Sequence, residues 1–405
     1  MSRAPAAAFV FSIAFAAMRA EASPQDLFGY GARPVSMGGT GAAFADDFSA
    51  VHANPAGLSR LRARSLTLGY VGTAFWLDVA DRHFPGDTGS ATIIGLGLPI
   101  PFGGALRDRV GLGLGFFTPT NVIVRGRITR AETPQFVILP DRVQTVALQI
   151  GLGVALPAGF RVGVGVMAMA GLTGTVLVAA DASGRSSSRI DDQLVATYAP
   201  VLGVQWERGD WRFGATYRGA LVANFLVSIE ARDLGINLPI FNISGVAQYD
   251  PAQVQFEAAW QHRGWTTALG FTGKQWSSYP GPASATTDNS PAPPPPEFSD
   301  TVVARLGVER RWSWIDGTHV ALRGGYFYEP TPAPAATASR AYLDNDRHVF
   351  AAGLSIGATA AGTRYTVDLF SQTHWLAPRE ASAATGVVSH GGALLHIGTS
   401  ATVTF

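Results

Sequence analysis

The side chains able to do chemistry in this 405-residue chain are few, and most reaction classes fall away on inspection. There is no cysteine, which removes disulfides, thiolate metal ligands and cysteine nucleophiles together. The eight histidines lack the paired spacing of a metal site: His262 falls in a turn, and His319, His348 and His396 stand alone on extended segments. Gly38-Gly39-Thr40-Gly41 resembles a phosphate-binding loop only superficially, since no strand precedes it and no Gly-Lys-Ser/Thr follows. A serine hydrolase would need a Ser–His pair, and Ser400 and His396 lie two strand steps apart on one face. Scattered arginines and a net charge of +1 provide no clustered basic patch for nucleic acid. No metal or cofactor is expected. What remains is a set of cations, Arg218, Lys274 (the sole lysine), Arg305, Arg323 and Arg347, which could meet a ligand carboxylate or pair with acids such as Glu257, Glu309 and Asp368.

The elements that must position these cations are written in period two. Trp211, Phe213, Ala215, Tyr217 and Leu221 share one face while Arg212, Gly214, Thr216 and Arg218 take the other. Val146, Leu148, Ile150, Leu152 and Val154 oppose Thr145, Ala147, Gln149, Gly151 and Gly153, and Leu395, Ile397, Ala401, Val403 and Phe405 oppose His396, Gly398, Ser400, Thr402 and Thr404. On this phase all five cations point to the polar side. Strands are predicted near 65–76, 92–100, 109–119, 142–156, 161–179, 193–206, 211–230, 243–260, 265–279, 301–312, 318–329, 344–357, 363–376 and 393–405. The fold class is therefore all-β, a 14-stranded antiparallel barrel.

A soluble sandwich also alternates, so connection lengths must place the wall. They alternate too: long at 77–91, 120–141, 180–192, 231–242, 280–300, 330–343 and 377–392, and tight at 157–160, 207–210, 261–264, 313–317 and around Gly362. Short turns on one side and long loops on the other are the habit of outer-membrane barrels, with turns in the periplasm and loops outside. Trp206 with Trp211, Trp260 with Trp265, and Trp312 with Trp314 flank three of the tight turns, where amphipathic rings would sit at the membrane–water boundary. Mean hydropathy of +0.17 suits a wall with one greasy face. Arg3, the apolar stretch Ala6–Ala17 and Ala20-Glu21-Ala22 read as a signal peptide over 1–22, with the mature chain starting at Ser23; about 20 apolar residues would be needed for a spanning helix. Phe405 on the apolar phase resembles the terminal aromatic by which barrels are recognised for insertion.

Residues 23–62 do not alternate, and read as glycine-rich turns with one or two short helices around Met37–Ala42 and Asp46–Ser49. Ahead of a barrel over 63–405, they form an expected plug. On strands two to five Gly95, Gly97, Gly111, Gly113, Gly115, Gly151, Gly153, Gly163 and Gly165 leave the inner wall bare, and something must fill that volume. Asp46-Asp47-Phe48-Ser49-Ala50-Val51-His52-Ala53-Asn54-Pro55-Ala56-Gly57-Leu58 resembles the hatch motif of the long-chain fatty-acid and aromatic-hydrocarbon outer-membrane transporters (FadL/TodX type), with Asn54, Pro55 and Ala56 as its signature. Tyr326–Pro332 and Leu343–His348 extend the likeness.

The resemblance implies an N-terminal hatch inside a transmembrane barrel, capture of a hydrophobic ligand from outside, and passive lateral release into the outer membrane. In that family the third strand is kinked, breaking its pairing to open a side window; Phe116-Phe117-Thr118-Pro119 stands at the matching place, proline cannot donate to a ladder, and Pro119 is expected to mark the opening, with the pairing between strands two and three broken beyond it. Strand five is apolar from Val162 to Leu177 where the family can offer a basic lumen residue, so a fatty-acid carboxylate and an uncharged hydrocarbon are both open as ligand. Expected partners are that small molecule, outer-membrane lipid and lipopolysaccharide, and the barrel-insertion machinery, with the protein a monomer and no nucleic acid bound. Two rivals of other classes stand beside transport. A structural or secretion-assisting barrel would leave unexported proteins behind on deletion, and an outer-membrane lipase would cleave a chromogenic ester in detergent.

Overall fold

The computed structural model describes residues 24–405 apart from 81, 86–87, 122–130, 140–144, 181–185, 233–240, 284–292, 316 and 384–385. The expected signal peptide over 1–22 and Ser23 lie outside the described residues. Fourteen wall strands form the closed barrel: β1 Ser65–Val79, β2 Gly89–Ile100, β3 Val110–Pro119, β4 Ala147–Ala155, β5 Phe160–Ala180, β6 Ser186–Arg208 and β7 Trp211–Arg218, which resumes as Leu221–Arg232. They continue as β8 (Phe241–Asp250 resuming as Gln253–His262), β9 Trp265–Lys274, β10 Thr301–Ser313, β11 Thr318–Glu329, β12 Arg347–Ala360, β13 Thr363–Ala383 and β14 Gly386–Thr404. Neighbours pair antiparallel in chain order, and β1 closes the wall on β14 from Ser65↔Thr404 to Val79↔His390. Among the described residues no helix is long and apolar enough to cross a membrane; this wall crosses with strands.

The phase read from the sequence holds along most of the wall. Ile150, Leu152, Trp211, Phe213, Ile397 and Phe405 are exposed on the outer face, while Thr145, Ala147, Gln149, Thr216, Arg218, His396 and Ser400 are buried inside. Trp206 stacks between Phe160 at 6.0 Å and Phe213 at 5.6 Å, continuing the aromatic belt at the turn end. Three expectations need correction. Leu221 is buried beside Met167, Met169 and Val201, because Gly219-Ala220 interrupts β7 and resets its phase. The stretches 77–91, 180–192 and 377–392 are largely strand: Arg82–Pro85 folds back on β1, β6 already pairs with β5 from Ser186, and β13 and β14 run together to Ala383↔Gly386. These strands outgrow the bilayer as polar hairpins, since ladder bonds satisfy the backbone at no cost to a water-facing side chain.

The third correction concerns the order of strands at the loop end. The ladder between β6 and β7 stops at Val201↔Arg218, where Pro200 has no N–H to give, although its carbonyl still accepts from Gly219. Above that level β7 pairs in parallel with β5, from Phe225↔Leu172 to Arg232↔Ala179, and the first half of β6 is paired with β5 alone, with Ile190, Leu194 and Tyr198 exposed.

Inside the wall lies the N-terminal segment: α1 Pro24–Phe28, α2 Ala32–Ser36, α3 Ala50–Ala53 and a 3-10 turn Pro55–Arg60. The helices flank the stretches in which they were expected, because Gly38 and Gly39, at φ of 67° and 72°, end α2 before Thr40. The bare inner wall is filled by this segment. A Cβ at Gly95 would strike Phe48, at Gly113 Leu58 and Val51, at Gly115 Tyr30, and at Gly163 the backbone of Pro55 and Ala56. Gly165 departs from the set, since its nearest neighbour is the β4 carbonyl of Ile150 at 2.8 Å. The belt continues beyond the expected strands: Gly203 meets Asn54, Gly214 meets Ala42, Gly307 and Gly325 meet Met37, and Gly353 meets Ser36.

Candidate functional site

A plug in a barrel must satisfy its own backbone polar groups, because short helices leave most of them open. Asn54 does this at the centre of the hatch. Its Nδ2 donates to the carbonyls of Ala42 (2.7 Å), Val204 (3.0 Å) and Ala215 (3.2 Å), and its Oδ1 accepts from the amide of Ala56 at 3.1 Å. One side chain thus ties two hatch turns to β6 and β7. Pro55 then opens the 3-10 turn, and Ala56 packs fully buried against Gly163. From the facing wall Glu257 receives three successive hatch amides, Gly41 (2.8 Å), Ala42 (3.2 Å) and Ala43 (3.0 Å), a nest of N–H groups closed on a carboxylate. Gln205 donates to Ala42, Thr216 to Ala53 and Gln372 to Val35, all from inward positions of the wall.

Replacing Asn54 with alanine leaves buried carbonyls short of a donor. The expected loss is about 2–3 kcal/mol of hatch docking, read as a lower temperature for the heat-induced gel shift of the detergent-solubilised barrel. An unchanged transition would show that Asn54 does not hold the hatch.

All five cations picked out by phase are inward, and all five are engaged. Arg218 donates to the carbonyl of His52 (2.8 Å) and to Gln253 (3.0 Å), and Arg305 reaches the carbonyl of Gly38 (3.3 Å) while lying over the Phe327 ring at 4.3 Å. Lys274 sits between Asp26 of α1 (3.1 Å) and Glu329 (2.7 Å), and Arg347 joins Glu329 (3.0 Å) to Asp344 (3.6 Å). Arg323 is apart from these, near the turn end, on Glu309 (2.8 Å) and Asp368 (2.7 Å). Four of them thus border one lumen region and the fifth does not. Sequence reading missed Asp26, the hatch carboxylate paired with Lys274, and Arg33, which binds Glu309 through two N–H groups at 3.1 and 2.8 Å. Neither lies on a strand, so alternation could not assign it a side. His396 stacks on Phe28 at 4.5 Å, and no hydrogen bond joins it to Ser400.

The other half of the lumen is greasy. One contiguous buried cluster runs from Phe136, Leu139, Leu343 and Leu376 at the loop end, through Phe75, Phe370 and Leu394, to Phe28, Tyr30 and Phe48 of the hatch and Phe117 of β3. A small pocket between hatch and wall is lined by Phe28, Tyr30, Val35, Ile93, Phe117 and His396. Pro119 does not break the pairing with β2: the ladder runs from Ile100↔Val110 to Ala91↔Pro119, and Thr120 continues it by donating to Ser90 at 2.9 Å. Antiparallel parity explains this, since Thr118 and Thr120 bond towards β2 and the missing N–H of Pro119 faces the β4 side. There the β3–β4 pairing reaches only Phe117↔Ala147, so the expected gap on the β2 side is absent and Thr118–Pro119 are paired on one edge alone.

A closed fourteen-stranded wall, apolar outside and plugged inside by its own N-terminal segment, defines a hatch-bearing transmembrane β-barrel. The chain belongs to the outer membrane protein transport protein family (OMPP1/FadL/TodX), whose model matches residues 13–372, and it is an outer-membrane transport protein for hydrophobic compounds. Among solved structures it is similar to a Pseudomonas aeruginosa FadL homologue, with a TM-score of 0.64 at 15% identity over 95% of this chain and 98% of that one. It is also similar to the Ralstonia pickettii toluene transporter TbuX (TM-score 0.58, 16% identity, 94% and 99% covered) and to the P. putida toluene transporter TodX (0.55, 14%, 94% and 99%). At such identities the likeness is one of fold. No curated protein matches the sequence.

Proposed function

We propose that the barrel passively admits uncharged hydrophobic small molecules, hydrocarbons ahead of fatty acids, and releases them sideways through the wall between β3 and β4. The observation that carries this reading is the unbroken apolar cluster from the loops to Phe117. A ligand sliding along it exchanges one apolar neighbour for the next, at about 25 cal/mol per Å² of surface kept from water, and meets no charge that must be desolvated. Its exit lies where Phe117 ends the β3–β4 ladder and Pro119 offers no donor. The ligand class follows from the cations: a carboxylate would have to displace Asp26 or a hatch carbonyl to reach Lys274, Arg218 or Arg305, whereas a hydrocarbon displaces neither. Likeness to the toluene transporters TodX and TbuX points the same way.

The test is uptake of radiolabelled toluene and of oleate by cells whose only hydrophobe transporter is this chain, joined to photolabelling with a diazirine-bearing alkane. Several-fold faster toluene uptake is expected, with label on the peptides carrying Phe117, Ile93 and Phe370. Uptake no faster than in cells without the protein, or label confined to the outer face, would sink the reading. Faster uptake of oleate alone would transfer the assignment to carboxylates.

A further inference from the structure

Beneath the hatch, at the turn end of the barrel, opens a basin of about 760 Å³. Eight of its lining residues are arginines and three are aspartates. Carboxylate partners do not reach them all. Glu207 on β6 stands opposite Arg212 on β7 in the ladder, yet its two oxygens are taken by Arg60 of the hatch (2.5 Å) and Arg161 of β5 (2.7 Å). Arg212 is left with no ion-pair partner among the described residues, and so are Arg62 and Arg364 on the exposed rim.

The pairing with Glu207 is itself incomplete. Nη2 of Arg60 and Nε of Arg161 are buried with no acceptor among the described residues. Burial, and after it the nearby Arg212 and Arg161 guanidiniums, pushes Arg60 down to about 10. A buried guanidinium N–H without an acceptor is costly, and Arg60, Arg161 and Arg212 have between them Glu207 and a share of Asp46, which also binds Arg33, so positive charge is in local surplus. Above the hatch Arg218 also carries an orphan N–H, but the space beside it measures only about 30 Å³. Below the hatch, unspent guanidinium donors border a space with room for a guest. The planar fork of arginine matches the paired oxygens of a carboxylate or a phosphate, which fixes the chemistry of that guest.

We propose that this basin is a periplasm-facing binding site for a small oxyanion, held by Arg60, Arg161 and Arg212 and reached past Arg62 and Arg364. The site stands apart from the hydrocarbon path, on the other side of the hatch, and does not depend on it. This puts the anion-binding capacity of the protein on its inner face, where Arg323 alone of the five lumen cations first singled out stands, already held by Glu309 and Asp368.

The experiment is titration calorimetry on the full detergent-solubilised protein at low salt, with inorganic phosphate and with sodium decanoate as separate probes. Saturable binding of at least one is expected; phosphate alone would identify a free-phosphate site and decanoate alone a fatty-carboxylate site. Arg212→Gln should weaken binding about tenfold or more, and Arg62→Gln, at the exposed rim, should weaken it less without touching a hatch contact to the wall. Arg189→Gln, exposed on the β5–β6 hairpin beside Asp191, is the control that should change nothing. Absence of saturable binding by either probe, or equal affinity in wild type and Arg212→Gln, would overturn the site.

Discussion

Glu309→Ala is expected to open the barrel. This carboxylate is wholly buried on β10 and receives Arg33 through two hydrogen bonds, Arg323 at 2.8 Å and Arg311 at 3.0 Å. Removing it leaves three guanidiniums facing one another, and breaking a buried ion pair from one side costs about 3–5 kcal/mol because the abandoned charge stays desolvated. Arg33 is the hatch's member of the group, so the hatch should lose its hold on the β10 side. Arg33→Ala should be milder, because Glu309 keeps two cations and the hatch loses only its own charge. Conductance of single barrels in planar bilayers checks both: steps from Glu309→Ala, fewer from Arg33→Ala, none from wild type. Closed barrels in both variants would show that the Glu309 cluster does not seat the hatch.

Gly163→Leu should unseat the hatch from the opposite side. The backbone of Pro55 and Ala56 lies so close to Gly163 that even a methyl would overlap it, and neither backbone can yield as a side-chain tip would. Overpacking of this kind costs about 1–3 kcal/mol where the surroundings can shift. Here the shift is an outward displacement of the Asn54-Pro55-Ala56 turn, which also stretches the three bonds given by Asn54. Gly72→Leu is the matched control, since nothing lies within 4 Å of a Cβ there. The expected result is a lowered heat-shift temperature and leakage of a hydrophilic dye from liposomes for Gly163→Leu only. Equal behaviour of the two variants would mean that the hatch can be lifted freely and that the glycine belt has another purpose.

The wall was the most legible part of the molecule, because in an extended chain a residue's side follows from its parity and lipid makes that parity strict. It therefore assigned Arg218, Lys274, Arg305, Arg323 and Arg347 to the interior. Parity failed at Leu221, where Gly219-Ala220 breaks the strand, and it could not foresee that β7 changes partner above Pro200. Nor could it separate a loop from a hairpin that outgrows the membrane, as between β13 and β14, since both are polar. In the hatch the Asn54-Pro55-Ala56 motif was visible but its bonds were not. The nest on Glu257 is made of main-chain amides, which every residue carries and no sequence pattern marks. Inward glycines on β6, β7, β10, β11 and β12 carried the same signal as those on β2 to β5, and could have been read as contact points for the hatch.

The bonds that fasten the hatch are long in chain terms: Arg33 finds Glu309 276 residues later, and Val35 is met by Gln372 337 residues on. The segment made first is thus the last to reach its place, since its anchors do not exist as a surface until nearly the whole polypeptide has been laid down. The hatch can be fully fastened only once the late strands that carry Glu309 and Gln372 are in place.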